Sequence, residues 1–573
     1  MYTVSHSFID ALTAYWVQYC FGIPGDAIDS IIDAIRTQNQ IEFIQVRHEE
    51  SWALACSAYG KLTGKLSVCM GTSWPGAIHL LNGLYDAKMD RSPVLAITGQ
   101  PATKLLGTDY FQEIDHIKLF DDVAVFNQMA VSAEQFPRLI ADACKAALVH
   151  QWVAHINIPI DISMKKISKK TIVPRWGQRS TTAAKEDVLN AARVINESKK
   201  PMLMIGRWSR FAEKEVIALS EKLQAPIIHA LPAKDVAVGH PNKCEGSWLL
   251  WTPAWDTAMQ GTDCLIMIGT SFPYSAFYPQ KKVSSVQIDL HPEQINKRYP
   301  VDVGLVGNAE QVIADLLPHI TAKNETNFLA SVQKSLIKRS NAESKPEQST
   351  NNPIKPQRLA FELGENANDD AIFVVDTGAV TVWWARNLKL RGDQEFSVSA
   401  NLGTMAYSMS GAIGAAFACP YRQVIALSGD GSMGMLMGDF ITAVKHDLNM
   451  NVVVFNNGKL GLIQMEQEVH GMPEYMTALA NPDYAMFAES CGGVWYTVHD
   501  PEKLWSVLAE AYANPIPSII NVYIDPEELT RPPHITLKQA MWFAEAKMKE
   551  VLWAWDKDGG IEVIKEIIDQ QFG

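Results

Sequence analysis

Short runs of β-branched and other apolar residues alternate along this chain with longer stretches whose apolar positions recur at helical spacing. That alternation predicts parallel β-sheets covered by helices, because a parallel connection needs a crossover helix. In the first third, Ile41–Val46, Leu66–Met70 and Val94–Thr98 are predicted strands. Pro201–Ile205, Pro226–His229, Cys264–Gly269 and Ser285–Asp289 form a second set. Ala371–Val375, Gln423–Leu427, Asn451–Phe455 and Ser518–Tyr523 form a third. Two polar tracts separate the sets, Lys165–Lys185 with Pro174 and Ser340–Gln357 with Pro346, Pro353 and Pro356, and both read as linkers. The predicted fold class is therefore α/β, with three doubly wound parallel-sheet domains over residues 1–170, 185–340 and 355–530. A C-terminal helical tail over 531–573 follows, in which Ile561, Ile564, Ile567 and Ile568 share a helix face. Such a face ordinarily packs on its own domain or on a neighbouring subunit. The alternative is a helix lying on a membrane, for which Lys565 is the single cation against Glu562, Glu566 and Asp569.

Charge and cysteine usage narrow the function classes. Lys and Arg total 50 against 63 Asp and Glu, a formal net charge of -13 without a basic block, which excludes nucleic acid as a general partner. No run reaches the roughly 18 uninterrupted apolar residues of a membrane-crossing helix, and Met1–Asp10 lacks a signal peptide's basic and apolar regions. Eight cysteines include no C-x-x-C pair and sit mostly in apolar runs, as expected of reduced thiols in a cytoplasmic protein.

The local motif with the clearest chemistry is Gly429-Asp-Gly-Ser432, directly after a predicted strand, with Asn456-Asn457 after the next. In an open α/β sheet both lie at strand carboxyl ends, where ligands bind. The glycines Gly429 and Gly431 let backbone N–H groups approach a diphosphate, and Ser432 opens a helix whose N-terminus favours anions. Asp430 and the side-chain oxygen of Asn457 are hard ligands suited to Mg²⁺.

This is a thiamine diphosphate motif, and through it the chain resembles the pyruvate oxidases and quinone-linked pyruvate dehydrogenases, relatives of acetolactate synthase. The resemblance also rests on Gly22-Ile-Pro-Gly25, Val46-Arg-His-Glu-Glu50, His79-Leu-Leu-Asn-Gly83, Phe111-Gln-Glu113, Asp376-Thr-Gly378, Gly403-Thr-Met405 and Leu460-Gly461 with Glu466. It implies a first domain for the coenzyme's pyrimidine, a middle domain for FAD and a third for the diphosphate and Mg²⁺. Glu49 matches the carboxylate that bonds N1′ of the aminopyrimidine, and His79, Phe111, Gln112 and Glu466 match substrate-pocket positions. Gly25, Thr377, Gly378, Gly403 and Met405 match coenzyme contacts, and Lys459 joins Asp430 and Asn457 at the metal. For FAD the implied residues are Gly206, Arg210, Gly246, Gly269, Thr270, Ser271, Phe272, Asp289 and Asn308.

The activity so implied is oxidative decarboxylation of pyruvate, or a similar 2-keto acid, to acetate and CO₂, with electrons passing to FAD and then to a quinone. A phosphate- and O₂-dependent oxidase making acetyl phosphate and an acetolactate-synthase-type carboligase are the alternatives, and a catalytically inert binding protein is disfavoured by the intact Glu49, Asp430 and Asn457. The resemblance further implies a homotetramer built as a dimer of dimers, and a tail that docks on the inner face of the cell membrane. The chain departs from the family pattern at Trp208 and Leu249, where glycines are usual, at Asn308 in place of an aspartate, and at Trp74, Ala27 and Leu462.

Overall fold

The computed structural model describes residues 2–168, 181–244, 252–528, 530, 541–543 and 545–550. Three parallel sheets carry the fold. The first has six strands in the order β2-β1-β3-β4-β6-β5: β1 (Tyr19–Gly22), β2 (Glu42–Gln45), β3 (Ser67–Gly71), β4 (Val94–Gln100), β5 (Ala124–Met129) and β6 (Val153–Pro159). The second has five, in the order β11-β10-β9-β7-β8: β7 (Pro201–Ile205), β8 (Ile227–His229), β9 (Cys264–Ile268), β10 (Ser284–Asp289) and β11 (Val303–Val306). The third is again six-stranded, β13-β12-β14-β15-β17-β16: β12 (Ile372–Val375), β13 (Glu395–Val398), β14 (Val424–Gly429), β15 (Met450–Asn456), β16 (Val494–Val498) and β17 (Ser518–Tyr523). Central strands such as Cys264–Ile268 are buried at every position, as strands covered on both faces must be.

Each predicted strand is present with its ends shifted by no more than two residues, and six strands were not predicted: β1, β5, β6, β11, β13 and β16. The tract Ser340–Gln357 is not wholly a linker, because its first part completes a helix, Asn327–Glu347.

The order of the sheets reverses between β1 and β3, between β7 and β9, and between β12 and β14, and the two six-stranded sheets turn back again at the far edge, where β6 and β17 lie inside β5 and β16. At such a reversal the two connections leave on opposite faces and open a crevice beyond the strand carboxyl ends. The first and third domains share one apolar core, reaching from Phe21 and Trp52 to Ile413 and Phe440. Its seam is the contact of helices Glu49–Thr63 and Tyr407–Ala418, so close that a Cβ on Gly414 would stand 2.1 Å from the Ala55 carbonyl oxygen.

Of the tail, residues 541–543 and 545–550 are described, and they lie on the third domain. Lys547 pairs with the buried Glu468 at 2.6 Å, and the Glu474 N–H donates to Glu550 at 2.8 Å. The predicted amphipathic face from Ile561 lies outside the described residues. Among the described residues no helix is long and apolar enough to cross a membrane.

Candidate active site

The third sheet's reversal point opens into a cavity of about 240 Å³. Thr377 and Gly378 come to it from the end of β12, Gly429, Asp430, Gly431 and Ser432 from the end of β14, and Asn457 and Lys459 from the end of β15. Gly403 and Met405 close one side, and Leu460, Gly461 and Leu462 another. A Cβ at Gly429 or Gly378 would meet nothing within 4 Å, and Gly378 has φ 137°. The backbone is therefore bare toward the cavity, which is what a diphosphate cradle requires. The Met405 side chain approaches Gly431, whose added Cβ would meet it at 3.5 Å and Leu460 at 3.0 Å.

Asp430 is buried, and burial raises its pKa, an effect opposed by the amide of Asn481. That amide donates to Asp430 Oδ2 at 2.6 Å, and the Tyr484 hydroxyl donates to the Asp430 carbonyl at 2.7 Å. Asn481 thus orients the carboxylate, and Tyr484 fixes the main chain that carries it. Sequence reading missed both, since Asn481-Pro-Asp483 signals only a turn and a helix cap. The oxygen set of Asp430 and Asn457 beside a bare glycine cradle fits thiamine diphosphate held through Mg²⁺. The ammonium of Lys459 is committed to Glu474 at 3.2 Å and Glu527 at 3.1 Å. With no lone pair to offer a cation, Lys459 could serve the metal only through its main chain.

A second cluster lies at the carboxyl ends of the first sheet. Glu49 opens the helix after β2 and is buried, and His79 Nδ1 lies 3.0 Å from its Oε2. The His79 ring stacks on His48 at 4.6 Å, while His48 caps the helix by accepting from the Glu50 N–H. Gly76 is the neighbour that admits the carboxylate, because a Cβ there would sit 3.1 Å from Glu49 Oε1. Gln112 holds a left-handed φ of 62° and accepts from Ser73 at 3.1 Å, and Phe111 is 75 % exposed. Trp74 has φ 42°, a conformation costly for a large side chain, at the position where the family pattern has glycine. At this domain's own reversal point, a Cβ on Gly25 would lie 2.5 Å from Thr72, so Gly25 packs against protein.

None of Glu49, His79, Phe111 and Gln112 lines the third-domain cavity. Glu466 is exposed on the helix Gly461–Val469, with the buried Glu468 beside it. The chain thus brings the implied site residues together as two half-sites.

The seam between domains is held by charge. Lys61 is buried with Asp86 and Asp90, each at 2.7 Å. Burial by itself would lower the Lys61 pKa, but the two carboxylates more than reverse this and hold it above its ordinary value. Asp90 in turn accepts from the Ala400 and Asn401 N–H groups, fixing the segment that leads to Gly403 and Met405.

The residues implied for FAD separate. Gly206, Gly269, Thr270, Ser271, Phe272 and Asp289 line a cleft of about 140 Å³ against Asp90, Arg91, Arg207 and Trp208. Asn308 lines a larger chamber of about 710 Å³, to which Trp208, Gly269 and Asp289 also contribute. Asn308 caps the helix Ala309–Leu316, accepting from the Glu310 and Gln311 N–H groups. Arg210 does not line either space; it is tied to Asp235 and lies 3.6 Å from Glu395. Asp289 is buried, and burial pushes its pKa up to about 6. Gly246 and Leu249 lie outside the described residues. The glycine amides of this cleft are spent on the sheet, Gly206 N–H donating to Ile268 and Gly269 N–H to Ile288, both at 2.9 Å. These two N–H groups are therefore not available to the diphosphate of a flavin dinucleotide, which would have to be met by other groups of the cleft, such as Thr270 and Ser271.

Comparison with known proteins places this geometry. Residues 2–119 match the N-terminal TPP binding domain of thiamine pyrophosphate enzymes, residues 188–316 their central domain, and residues 376–522 their C-terminal TPP binding domain. The Bacillus subtilis protein YdaP, whose name specifies thiamine pyrophosphate and no reaction, is 41% identical over 96% of each chain. The pyruvate oxidase of Lactiplantibacillus plantarum is 32% identical over 88% of this chain and 85% of its own. The acetolactate synthase of Mycobacterium bovis is 29% identical over 91% and 88%.

Proposed function

Because the chain belongs to the family of thiamine pyrophosphate enzymes, we propose that it holds thiamine diphosphate and Mg²⁺ at the third domain and decarboxylates a 2-keto acid of the pyruvate class. The observation that carries this reading is the bare glycine cradle at the β12/β14 reversal, flanked by Asp430 and Asn457. When bound, the coenzyme supplies the carbon nucleophile and the electron sink for breaking the bond to the carboxylate. Asp430 and Asn457 would ligate the metal, with Asn481 fixing the orientation of Asp430. Met405 and Leu460, which crowd Gly431 and line the cavity, would press the coenzyme into shape and exclude water.

Glu49 would accept and return a proton at its carboxylate, opposite a ring nitrogen of the pyrimidine. His79 hydrogen-bonds that carboxylate and keeps a side chain 43% exposed, so it can pass protons between Glu49 and the substrate side. Since Glu49 does not line the cavity of its own chain, the reading needs a second copy, Glu49 of one subunit facing Asp430 of the other. The homotetramer and the lipid contact of the tail belong to the same reading, to be checked by sedimentation alone and with lipid vesicles.

Two fates are open to the fragment left after CO₂ departs. Likeness to a pyruvate oxidase favours oxidation through FAD, with a quinone or O₂ as final acceptor; likeness to acetolactate synthases favours transfer to a second keto acid. Of the two, the pyruvate oxidase is the more similar relative, and oxidation is the leading fate. Incubation with pyruvate, thiamine diphosphate, Mg²⁺ and an electron-accepting dye tests this: dye reduction matching CO₂ release is expected. CO₂ release with carboligation or aldehyde product and an unreduced dye would favour the carboligase, and no CO₂ from any 2-keto acid would end both.

A further inference from the structure

One helix of the first domain grips the part of the third domain that walls the coenzyme cavity. Gly403 and Met405 line that cavity, on the stretch between β13 and the helix Tyr407–Ala418. This stretch does not hold its own shape. Gly403 has φ 70° and Ala406 φ 66°, so Thr404 and Met405 stand between two left-handed residues, one of them bearing a side chain. Such a conformation persists only where surrounding groups fix it.

Those groups come from the helix Leu81–Met89 and the residue after it. At the start of the helix the Asn82 amide donates to Thr404 Oγ1 at 2.9 Å. At its end Asp90 accepts from the Ala400 and Asn401 N–H groups at 3.0 and 3.1 Å, and the Met89 carbonyl accepts from the Asn401 amide at 3.2 Å. Within the stretch, Ser399 Oγ accepts from the Thr404 N–H at 3.1 Å. The gripping helix is itself seated on the Glu49–Thr63 helix, where a Cβ on Gly83 would lie 2.4 Å from the Leu54 nitrogen.

Asn82 reaches in a second direction. Its amide also donates to Glu50 Oε1 at 2.7 Å, beside Glu49. The two N–H groups of one amide therefore join the first turn of the helix that carries the proton-handling carboxylate to the residue between Gly403 and Met405.

We infer that Asn82 is a positioning residue for both half-sites, holding Thr404, and through it Met405, at a fixed place relative to Glu49. The inference rests on the reading that the third-domain cavity binds thiamine diphosphate. In that reading Glu49 of one subunit faces Asp430 of the other, so each Asn82 supports two different sites.

Calorimetry of thiamine diphosphate binding with Mg²⁺ on full-length variants tests this, together with the decarboxylation rate at saturating coenzyme. Asn82→Ala and Thr404→Val should each weaken binding by about three- to tenfold, the worth of one hydrogen bond. The double variant should bind no more weakly than Asn82→Ala alone, because both changes break the same bond. Asn82→Ala should also lower the rate more than Thr404→Val does, since only Asn82 reaches Glu50. A role confined to folding would shift the urea midpoint and produce neither the non-additivity nor this split. Asn82→Leu, of similar size and without a donor, stands in if Asn82→Ala does not fold. Additive losses, equal rates in the two single variants, or wild-type affinity without the Asn82 amide would overturn the inference. A wild-type protein that binds no thiamine diphosphate would defeat the functional reading itself, and this inference with it.

Discussion

The first and third domains are built on one plan and used differently. Both sheets run in the same order, and the helices Glu49–Thr63 and Tyr407–Ala418, which occupy the same place between second and third strands, pack on each other. At the reversal point the first domain is filled, Gly25 against Thr72, while the third is bare at Gly378 and Gly429. The first domain offers instead a buried carboxylate with a histidine, one connection away from its reversal point. The fold thus supplies two equivalent scaffolds, and the residues at the strand ends decide that one holds an anion and a metal while the other handles a proton.

Substitutions should separate the two uses. Asp430→Ala removes a metal ligand, and coenzyme affinity measured by calorimetry with Mg²⁺ should fall by more than the roughly 100-fold that marks loss of a residue behind a ligand. Glu49→Gln should leave that affinity nearly intact and lower the decarboxylation rate by about 10²–10⁴. If both variants lose binding equally, the division of labour between the domains is wrong.

The seam that joins the two scaffolds is tested by Lys61→Met. Asp86 and Asp90 would be left buried without their cation, and stability measured by urea unfolding should drop by about 3–5 kcal/mol. Asn481→Ala, which only loosens Asp430, should weaken Mg²⁺-dependent binding by about 10–100-fold.

The smallest effect comes from the first domain alone. His116 and His155 are buried beside Thr98, and burial lowers the His116 pKa to about 4 and that of His155 well below the ordinary value. Below the ordinary value of 6.5 the unfolded chain takes up a proton that folded His116 refuses until near 4, so stability falls as pH drops through that window. Between pH 7 and 5 the loss from His116 should be about 2 kcal/mol, seen as a steeper pH dependence of the urea midpoint in wild type than in His116→Gln.

How far the molecule was legible in its sequence follows from where polar residues fall. Strands written as unbroken apolar runs, such as Cys264–Ile268, announce themselves. β6 was missed because His155 and Asn157 interrupt it, both buried and satisfied by Thr98 and Asn127, partners no local pattern reveals. β5 and β16 are edge strands with mixed exposure, and β1 is four residues long. The polar tract after Ser340 begins in a helix because composition does not separate an exposed helix from a linker. The chemistry was legible where it lies in contiguous motifs, at Gly429–Ser432 and Arg47–Glu50. Asn481, Tyr484 and the Lys61–Asp86–Asp90 cluster are joined only by folding. Trp208 was visible as a departure, but its approach to Gly269 appears only in the fold.

The central claim is that a glycine cradle and two oxygen ligands in the third domain bind a diphosphate through a divalent cation. Calorimetric titration of extensively dialysed full-length protein with thiamine diphosphate, with and without Mg²⁺, tests it most directly. The account predicts saturable binding that requires the metal and disappears in Asp430→Ala. Absence of any binding with Mg²⁺ present, or equal binding in its absence, would contradict it.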